Sequence, residues 1–352
     1  MRVAIVTDAW QPQINGVVTV LMGLRERLSD GGHEVALVEP STFNRVRCPG
    51  YAEVELSWRP ATQVARRLDA LRPDAIHLAT EGPLGWAARR FCLRNRLPFT
   101  TAFHSRFPDF LAAATGLPPG LGYAILRRFH APSSGVLVPS AGTLAMLQAR
   151  GFDRLKTWSH GIDTVRFRPG PAMDMGMPRP VFLAVGRLSA EKNLDAFLKL
   201  DLPGSKLVVG GGPLLARLRE RYPRVRFLGP VEREALPQIY AAADVLVHPS
   251  RTDTFGLVML EALACGTPVA AFPVAGPLDV VGASGGGVLD ADLRRAALAA
   301  LQIPRAQARQ RALAFDADQV RDSFVANLAL IARSAAEPLG CSTATTVPGA
   351  AA

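Results

Sequence analysis

The sequence predicts two doubly wound α/β domains in tandem, on three observations. At 352 residues the chain exceeds what one hydrophobic core fills, at roughly 150 residues per domain. Short apolar runs of strand length alternate with longer segments of helical period through both halves. The alternation breaks once, in "HGIDTVRFRPGPAMDMGMPRP", where prolines and glycines punctuate the chain as they do in a connector. The expected units are therefore 1–165, 178–335 and a tail, 336–352, whose small polar residues carry no pattern and predict disorder.

In chain order the first half offers the strand "RVAIVT", the helix-period "GVVTVLMGLRERLSDGG" and the strand "EVALVEP". Next come "PDAIHLA", the helix-like "LGWAARRFCLRNR", "PFTTAF", a helical stretch to about 131 and "GVLVPS". The second half repeats the rhythm with "VFLAVGR", "KLVVGGG", "VRFLGPV", "DVLVHPS" and "TPVAAFPV". Strands separated by helices imply right-handed crossovers and a mostly parallel sheet covered on both faces.

Composition narrows the function classes. Hydrophobic residues at 49% and charged residues at 20% suit a folded globular chain rather than a disordered one. The start, "MRVAIVTDAWQPQING", has only a short apolar run before Asp8, and no stretch reaches the about 20 apolar residues of a spanning helix. A cytoplasmic location is the expectation. Cys48, Cys92, Cys265 and Cys341 share no ligand spacing, which argues against a zinc site or a disulfide framework. The formal charge of +10, nearly all from Arg, suggests an anionic partner.

Chemistry concentrates at "PSRTDTFGLVMLEALACGTPV", where Asp253 and Glu261 bracket an apolar run. A strand is expected to end near His248 and a helix to begin near Phe255, stopped by Gly266 and Pro268. The amides around Phe255, Gly256, Leu257 and Val258 then form a helix N-terminus suited to an anion, with Gly256 leaving room for a phosphate. Glu261 can accept from a ribose diol and Asp253 from sugar hydroxyls, or they can be a solvated helix residue and an N-cap. In "VFLAVGRLSAEKN" a second basic turn follows a strand. There Arg187 offers a bidentate fork and Lys192, one of only four lysines, a compact charge for phosphate. In the first half, Asn15 and Gly16 sit at a strand-to-helix turn and His104 at a strand end.

These segments in this order resemble the retaining nucleotide-sugar glycosyltransferases of family 4, over roughly residues 1 to 335. The most specific parts are "GRLSAEKN", "HGIDTVRFRP" and "DTFGLVMLEALACGTPV". "TDAWQPQINGVV" with "TDTFGLVMLEA" looks most like bacterial α-mannosyltransferases and the synthases of glucuronosyl- and sulfoquinovosyl-diacylglycerol. The resemblance implies a GT-B fold, two Rossmann-like domains facing across a cleft. It implies that Asp253 and Glu261 fill the acidic positions of an E-x7-E motif, contacting donor sugar and ribose. It implies further that Arg187 and Lys192 hold the diphosphate, that His104 lines the sugar pocket and that Gly16 lets its loop approach the substrates. Asp253 departs from the usual Glu, and its shorter reach alters that contact. The donor is then a UDP-sugar or GDP-mannose, no metal cofactor is expected, and the acceptor is a lipid such as diacylglycerol or a soluble glycan.

Other classes fit less well. The D-x-D triplets at Asp290–Asp292 and Asp316–Asp318 precede helical segments and read as caps rather than as a metal motif. "VVGGGPLLARL" has Leu215 where a dinucleotide fingerprint needs its third glycine. Aromatic residues at 7% and the lack of a recognition motif argue against nucleic acid. Basic apolar segments of the first half suggest peripheral docking on an anionic membrane. There Trp86, Phe91, Leu93, Leu111, Tyr123, Leu126 and Phe129 can enter the interface while Arg89, Arg90, Arg94, Arg127 and Arg128 meet phosphates, or the same apolar stripes can be the faces that pack these helices on the sheet.

Overall fold

The computed structural model describes residues 1–332 except 14, 49–50, 110–111, 113–115, 117 and 283–284, with backbone alone at 47–48 and 51–54. Leu111 and the tail 336–352 lie outside the described residues. The chain forms β1 (Arg2–Val6), β2 (Glu34–Val38), β3 (Arg45–Cys48), β4 (Tyr51–Ser57), β5 (Ala75–Leu78), β6 (Thr100–Ala102), β7 (Gly135–Val138) and β8 (Leu155–Thr157). The second half adds β9 (Val181–Val185), β10 (Ser205–Val209), β11 (Arg226–Gly229), β12 (Val245–His248), β13 (Val269–Ala271) and β14 (Gly287–Leu289).

Two six-stranded parallel sheets result, ordered β2-β1-β5-β6-β7-β8 and β11-β10-β9-β12-β13-β14. β3 and β4 stand apart as an antiparallel pair. Val3 through Val6 are fully buried because helices cover both faces of β1, which is why that strand reads as a continuous apolar run. Helix Gly16–Asp30 buries Val18, Leu21, Leu24 and Leu28, a stripe at helical spacing that packs on the first sheet.

The sequence missed β8, β14 and the β3–β4 pair. β8 and β14 are three-residue edge strands with no fully buried residue, so alternation and apolarity are both too brief to register. The expected range 178–335 also differs from the packing, because helix Ala317–Asn327 returns to the first domain. Phe324 and Leu328 join the cluster of Val3, Ile5 and Ala75, and Trp158 Nε1 donates to Val320 O at 3.1 Å. An amphipathic helix carries no sign of which core it will cover. The two D-x-D triplets do cap helices: Asp292 accepts from Arg294 and Arg295 amides, and Asp316 from Asp318 and Gln319 amides.

Candidate active site

Strand order reverses between β9 and β12, so the loops leaving their carboxyl ends turn in opposite directions and open a crevice. β9 leads to Gly186, Arg187 and the 3-10 turn Ala190–Lys192; β12 leads to Pro249 and the loop before helix Leu257–Ala264. Asn193 Nδ2 donates to Pro249 O at 3.0 Å, and the Ser250 and Thr252 hydroxyls donate to Glu191 O at 3.2 and 3.4 Å. Gly186, Arg187, Lys192, His248 and Pro249 line the space between the two loops.

Asp253 is the charged centre of this edge. Lys192 Nζ donates to both its carboxylate oxygens, at 2.7 and 2.9 Å, and His248 Nε2 lies 2.9 Å from Oδ2. Burial alone raises the Asp253 carboxyl, but the Lys192 ammonium and His248 outweigh it and hold the group far below the usual carboxylate range. The sequence put Lys192 and Asp253 in separate contacts; the fold makes them partners across two loops. Lys192 closes the 3-10 turn Ala190–Lys192 and does not open an α-helix.

Gly256 caps helix Leu257–Ala264 with φ of 92°, a left-handed conformation that glycine adopts without strain. A Cβ there would also stand 2.4 Å from the mobile end of Met259, Cε, so it is the backbone shape, beyond room for a phosphate, that fixes this glycine. Gly256 supplies no side-chain cap, and in the first turn Met259 N donates back to Gly256 O at 3.0 Å. Phe255 is buried, its ring 5.0 Å from that of His160; Leu257 and Val258 are half-buried.

Glu261 lies one turn inside the helix, 5% exposed. Tyr240 Oη donates to its Oε2 at 2.9 Å and Arg233 Nη2 to its Oε1 at 3.3 Å. Burial raises its carboxyl, with Arg233 and the Tyr240 hydroxyl opposing. With Arg233, Leu257 and His160 it lines an open cleft whose other wall is Thr19, Val20 and Gly23. Thus the helix begun by Gly16 faces the second domain. Asn15 caps that helix, its Oδ1 accepting from Val18 N at 3.0 Å, and a Cβ on Gly16 would meet nothing within 4 Å.

On the first sheet's carboxyl edge, His104 is buried and stacked on His160, ring centroids 5.6 Å apart. Burial pushes the His104 imidazole down to about 4, Glu81 opposing in part, and lowers His160 as well, with His104 adding to it. Both rings are therefore neutral near pH 7. Sequence reading missed two neighbours. Asp8 accepts from Thr80 Oγ1 and Leu84 N, each at 2.9 Å, and burial raises its carboxyl to about 6 against these bonds. Glu81 Oε1 lies 3.2 Å from His130 Nε2. "TDAW", a polar pair directly after a buried strand, was the available signal for Asp8.

The apolar side chains expected at a membrane are mostly core. Tyr123, Leu126 and Phe129 are buried, and Trp86 and Phe91 pack against the first domain's cluster. The exposed apolar residues of helix Pro119–His130 are Leu121 at 68% and Ile125 at 50%. Arg89 donates to Phe129 O and Arg128 O, and Arg127 to Arg150 O, so their positive charge lies at the C-terminal ends of helices, where it is favoured. Arg127 and Arg128 are exposed and line neither cleft. Among the described residues no helix is long and apolar enough to cross a membrane.

Comparison with known proteins decides the family. Family models match twice, glycosyl transferases group 1 over residues 179–303 and Glycosyltransferase Family 4 over residues 14–166. The chain belongs to the family 4 glycosyltransferases. This glycosyltransferase is 31% identical over 308 residues to a GDP-mannose-dependent alpha-mannosyltransferase of Mycobacterium tuberculosis, covering 80% of this chain and 81% of that one. It is 25% identical to the alpha-monoglucosyldiacylglycerol synthase of Streptococcus pneumoniae, covering 77% and 71%. Its fold, GT-B, superposes on the Anabaena protein HepE in complex with UDP-glucose with a TM-score of 0.68 at 17% identity, covering 93% and 98%.

Proposed function

We propose that this glycosyltransferase moves a hexosyl or hexuronosyl group from a nucleotide diphosphate sugar, UDP-linked or GDP-mannose, to a hydroxyl of a lipid acceptor such as diacylglycerol, with retention. The observation that carries the donor assignment is the crevice at the β9–β12 reversal, where Gly186, Arg187 and Lys192 face the loop of Asp253. Arg187, Lys192 and the amides from Phe255 to Val258 hold the diphosphate; Glu261 accepts from the ribose in the cleft walled on its other side by the helix that Gly16 begins. Asp253 and His104 contact the transferred sugar.

The bond from the anomeric carbon to the phosphate oxygen breaks with its electron pair going to the diphosphate. The acceptor oxygen bonds to that carbon on the same face, and its proton passes to a phosphate oxygen. Negative charge grows on the leaving group, so fixed cations and amides stabilise the transition state more than the ground state. The acceptor enters at the first domain's edge, and Asn15 shapes that entrance by fixing the start of its helix. Lipid delivery favours peripheral docking through the basic first domain, with Arg127 and Arg128 at the surface. The kinship to monoglucosyldiacylglycerol synthase supports the lipid reading; that to the mannosyltransferase supports a second, transfer of mannose to a soluble glycan.

A donor panel of UDP-glucose, UDP-glucuronate, UDP-galactose and GDP-mannose, each offered with diacylglycerol and with a soluble glycan, separates the two by mass spectrometry. Transfer is expected to persist in excess EDTA, since cationic side chains serve the diphosphate. Activity lost in chelator and restored by Mn²⁺ overturns that mechanism.

A further inference from the structure

The geometry points to Thr254 as a positioning residue that couples closure of the two domains to the orientation of Asp253. The inference rests on the donor reading above. Thr254 is one peptide unit, about 3.8 Å between Cα atoms, from Asp253. Its neighbour holds Lys192 within the second domain, whereas Thr254 itself bonds only across the cleft in the contacts described. Thr254 Oγ1 donates to His104 O at 2.7 Å. Its own carbonyl lies 3.2 Å from Ser140 Oγ and 3.4 Å from Thr143 Oγ1.

The two first-domain hydroxyls are 3.0 Å apart. With one proton each, they can hold the Thr254 carbonyl while bonded to one another. Beside them Gly142 N donates to Asp279 Oδ2 at 3.2 Å, so the same helix start grips the second domain twice. Behind the loop, a Cβ on Gly276 would stand 2.8 Å from the carbonyl oxygens of both Asp253 and Phe255. The loop is thus wedged against the second domain and pinned to the first. Parting the domains breaks the Thr254 bonds and frees the peptide that carries the Asp253 carboxylate; closing them restores both.

The test compares Thr254→Val, Thr254→Ser and the first-domain pair Ser140→Gly with Thr143→Val; glycine keeps most of the N-cap value at 140. Each is assayed for transfer with the donor the wild type uses, for UDP and GDP affinity, and for radius of gyration by small-angle X-ray scattering. Thr254→Val and the pair are expected to lower kcat about tenfold, as loss of one or two hydrogen bonds predicts, with nucleotide affinity within about twofold. Both should scatter as more open molecules, and Thr254→Ser should behave as wild type. Unchanged kcat and scattering overturn the inference. So does an equal fall in nucleotide affinity, which marks Thr254 as part of the donor loop's own scaffold. If the wild type takes no nucleotide sugar, the donor reading fails by itself, and scattering alone then decides whether the latch exists.

Discussion

The carboxyl edges of the two sheets share a fold and differ in electrostatics. On the second sheet the fixed charge is Asp253, held ionised by Lys192 and His248, while Glu261, raised by burial, is bonded by Arg233 and Tyr240. On the first sheet burial favours the neutral forms: His77 falls to about 3 and His104 to about 4, so both are neutral near pH 7, while Asp8 rises to about 6 and stays mostly ionised there. A site that receives a diphosphate needs fixed charge. One that receives a hydroxyl from an apolar molecule is better served by neutral donors and acceptors, which do not bring a hydration shell into the cleft.

The largest effect comes from breaking the permanent charge. Lys192→Ala leaves the buried Asp253 carboxylate without its ammonium, and losing one partner of a buried pair costs about 3 to 5 kcal/mol. Transfer should fall at least about a hundredfold, with a lower melting temperature and weakened nucleotide binding. Wild-type activity and stability in this variant would end the assignment of that pair to the donor edge.

Acid is the next probe, and it should act on the first domain. The unfolded chain protonates its histidines near 6.5, but folded His104 resists until about 4, so its stability is present above 6.5 and lost as pH falls to about 4. His77 and His160 share that direction. Asp8 opposes them: its contribution is full below 3.8 and lost as pH rises through about 6. Three histidines against one carboxyl leave a net loss in acid. At about 1.4 kcal/mol per pKa unit, His104 alone is worth on the order of 3 kcal/mol. All four tryptophans, Trp10, Trp58, Trp86 and Trp158, belong to the first half, so their emission reports it selectively. Emission should change between about pH 6 and pH 4 ahead of the far-ultraviolet signal of the whole chain. Coincident transitions would mean that the two edges do not differ in acid stability, and His104→Asn should shrink the effect.

Much of this contrast was legible in the sequence, and unevenly so. Buried strands announce themselves by unbroken apolar runs such as Val3–Val6 and Val245–Val247, and the loops that follow such runs carry Arg187 and Asp253; the reversal of strand order that brings those two loops together was not legible. Partnerships across the chain were not legible. Nothing local to Lys192 names Asp253, and nothing local to Phe324 names the first core. The stripe Tyr123, Leu126 and Phe129 has the spacing of either a core face or a membrane face, and only the fold decides. Tyr240, which no local pattern in the sequence singles out, orients Glu261. Tyr240→Phe removes that bond while keeping the ring, so nucleotide affinity should drop by about 1 kcal/mol, or roughly fivefold. A 2′,3′-dideoxy nucleotide should lose nothing further in the variant. An equal loss for both nucleotides would detach Glu261 from the ribose.

The smallest effect tests whether the first domain's charge serves a membrane. Its arginines are partly committed to carbonyls, as Arg89 is to Phe129 and Arg128, which leaves exposed Arg128 beside Leu121 and Ile125 on one helix face. Each basic residue near an anionic bilayer contributes about 1 kcal/mol, and screening over roughly 10 Å at 0.1 M salt reduces it. Arg128→Glu should therefore weaken binding to phosphatidylglycerol vesicles several-fold at low salt and little at high salt. Leu121→Ser with Ile125→Ser should weaken it at both, because apolar insertion is not screened. Neither change touches the donor edge, so nucleotide binding should stand. If the wild type ignores anionic vesicles at low salt, or glycosylates a soluble sugar efficiently without lipid, the basic face is solvated surface. The two edges then divide donor from glycan, and the soluble mannosyltransferase reading replaces the lipid one.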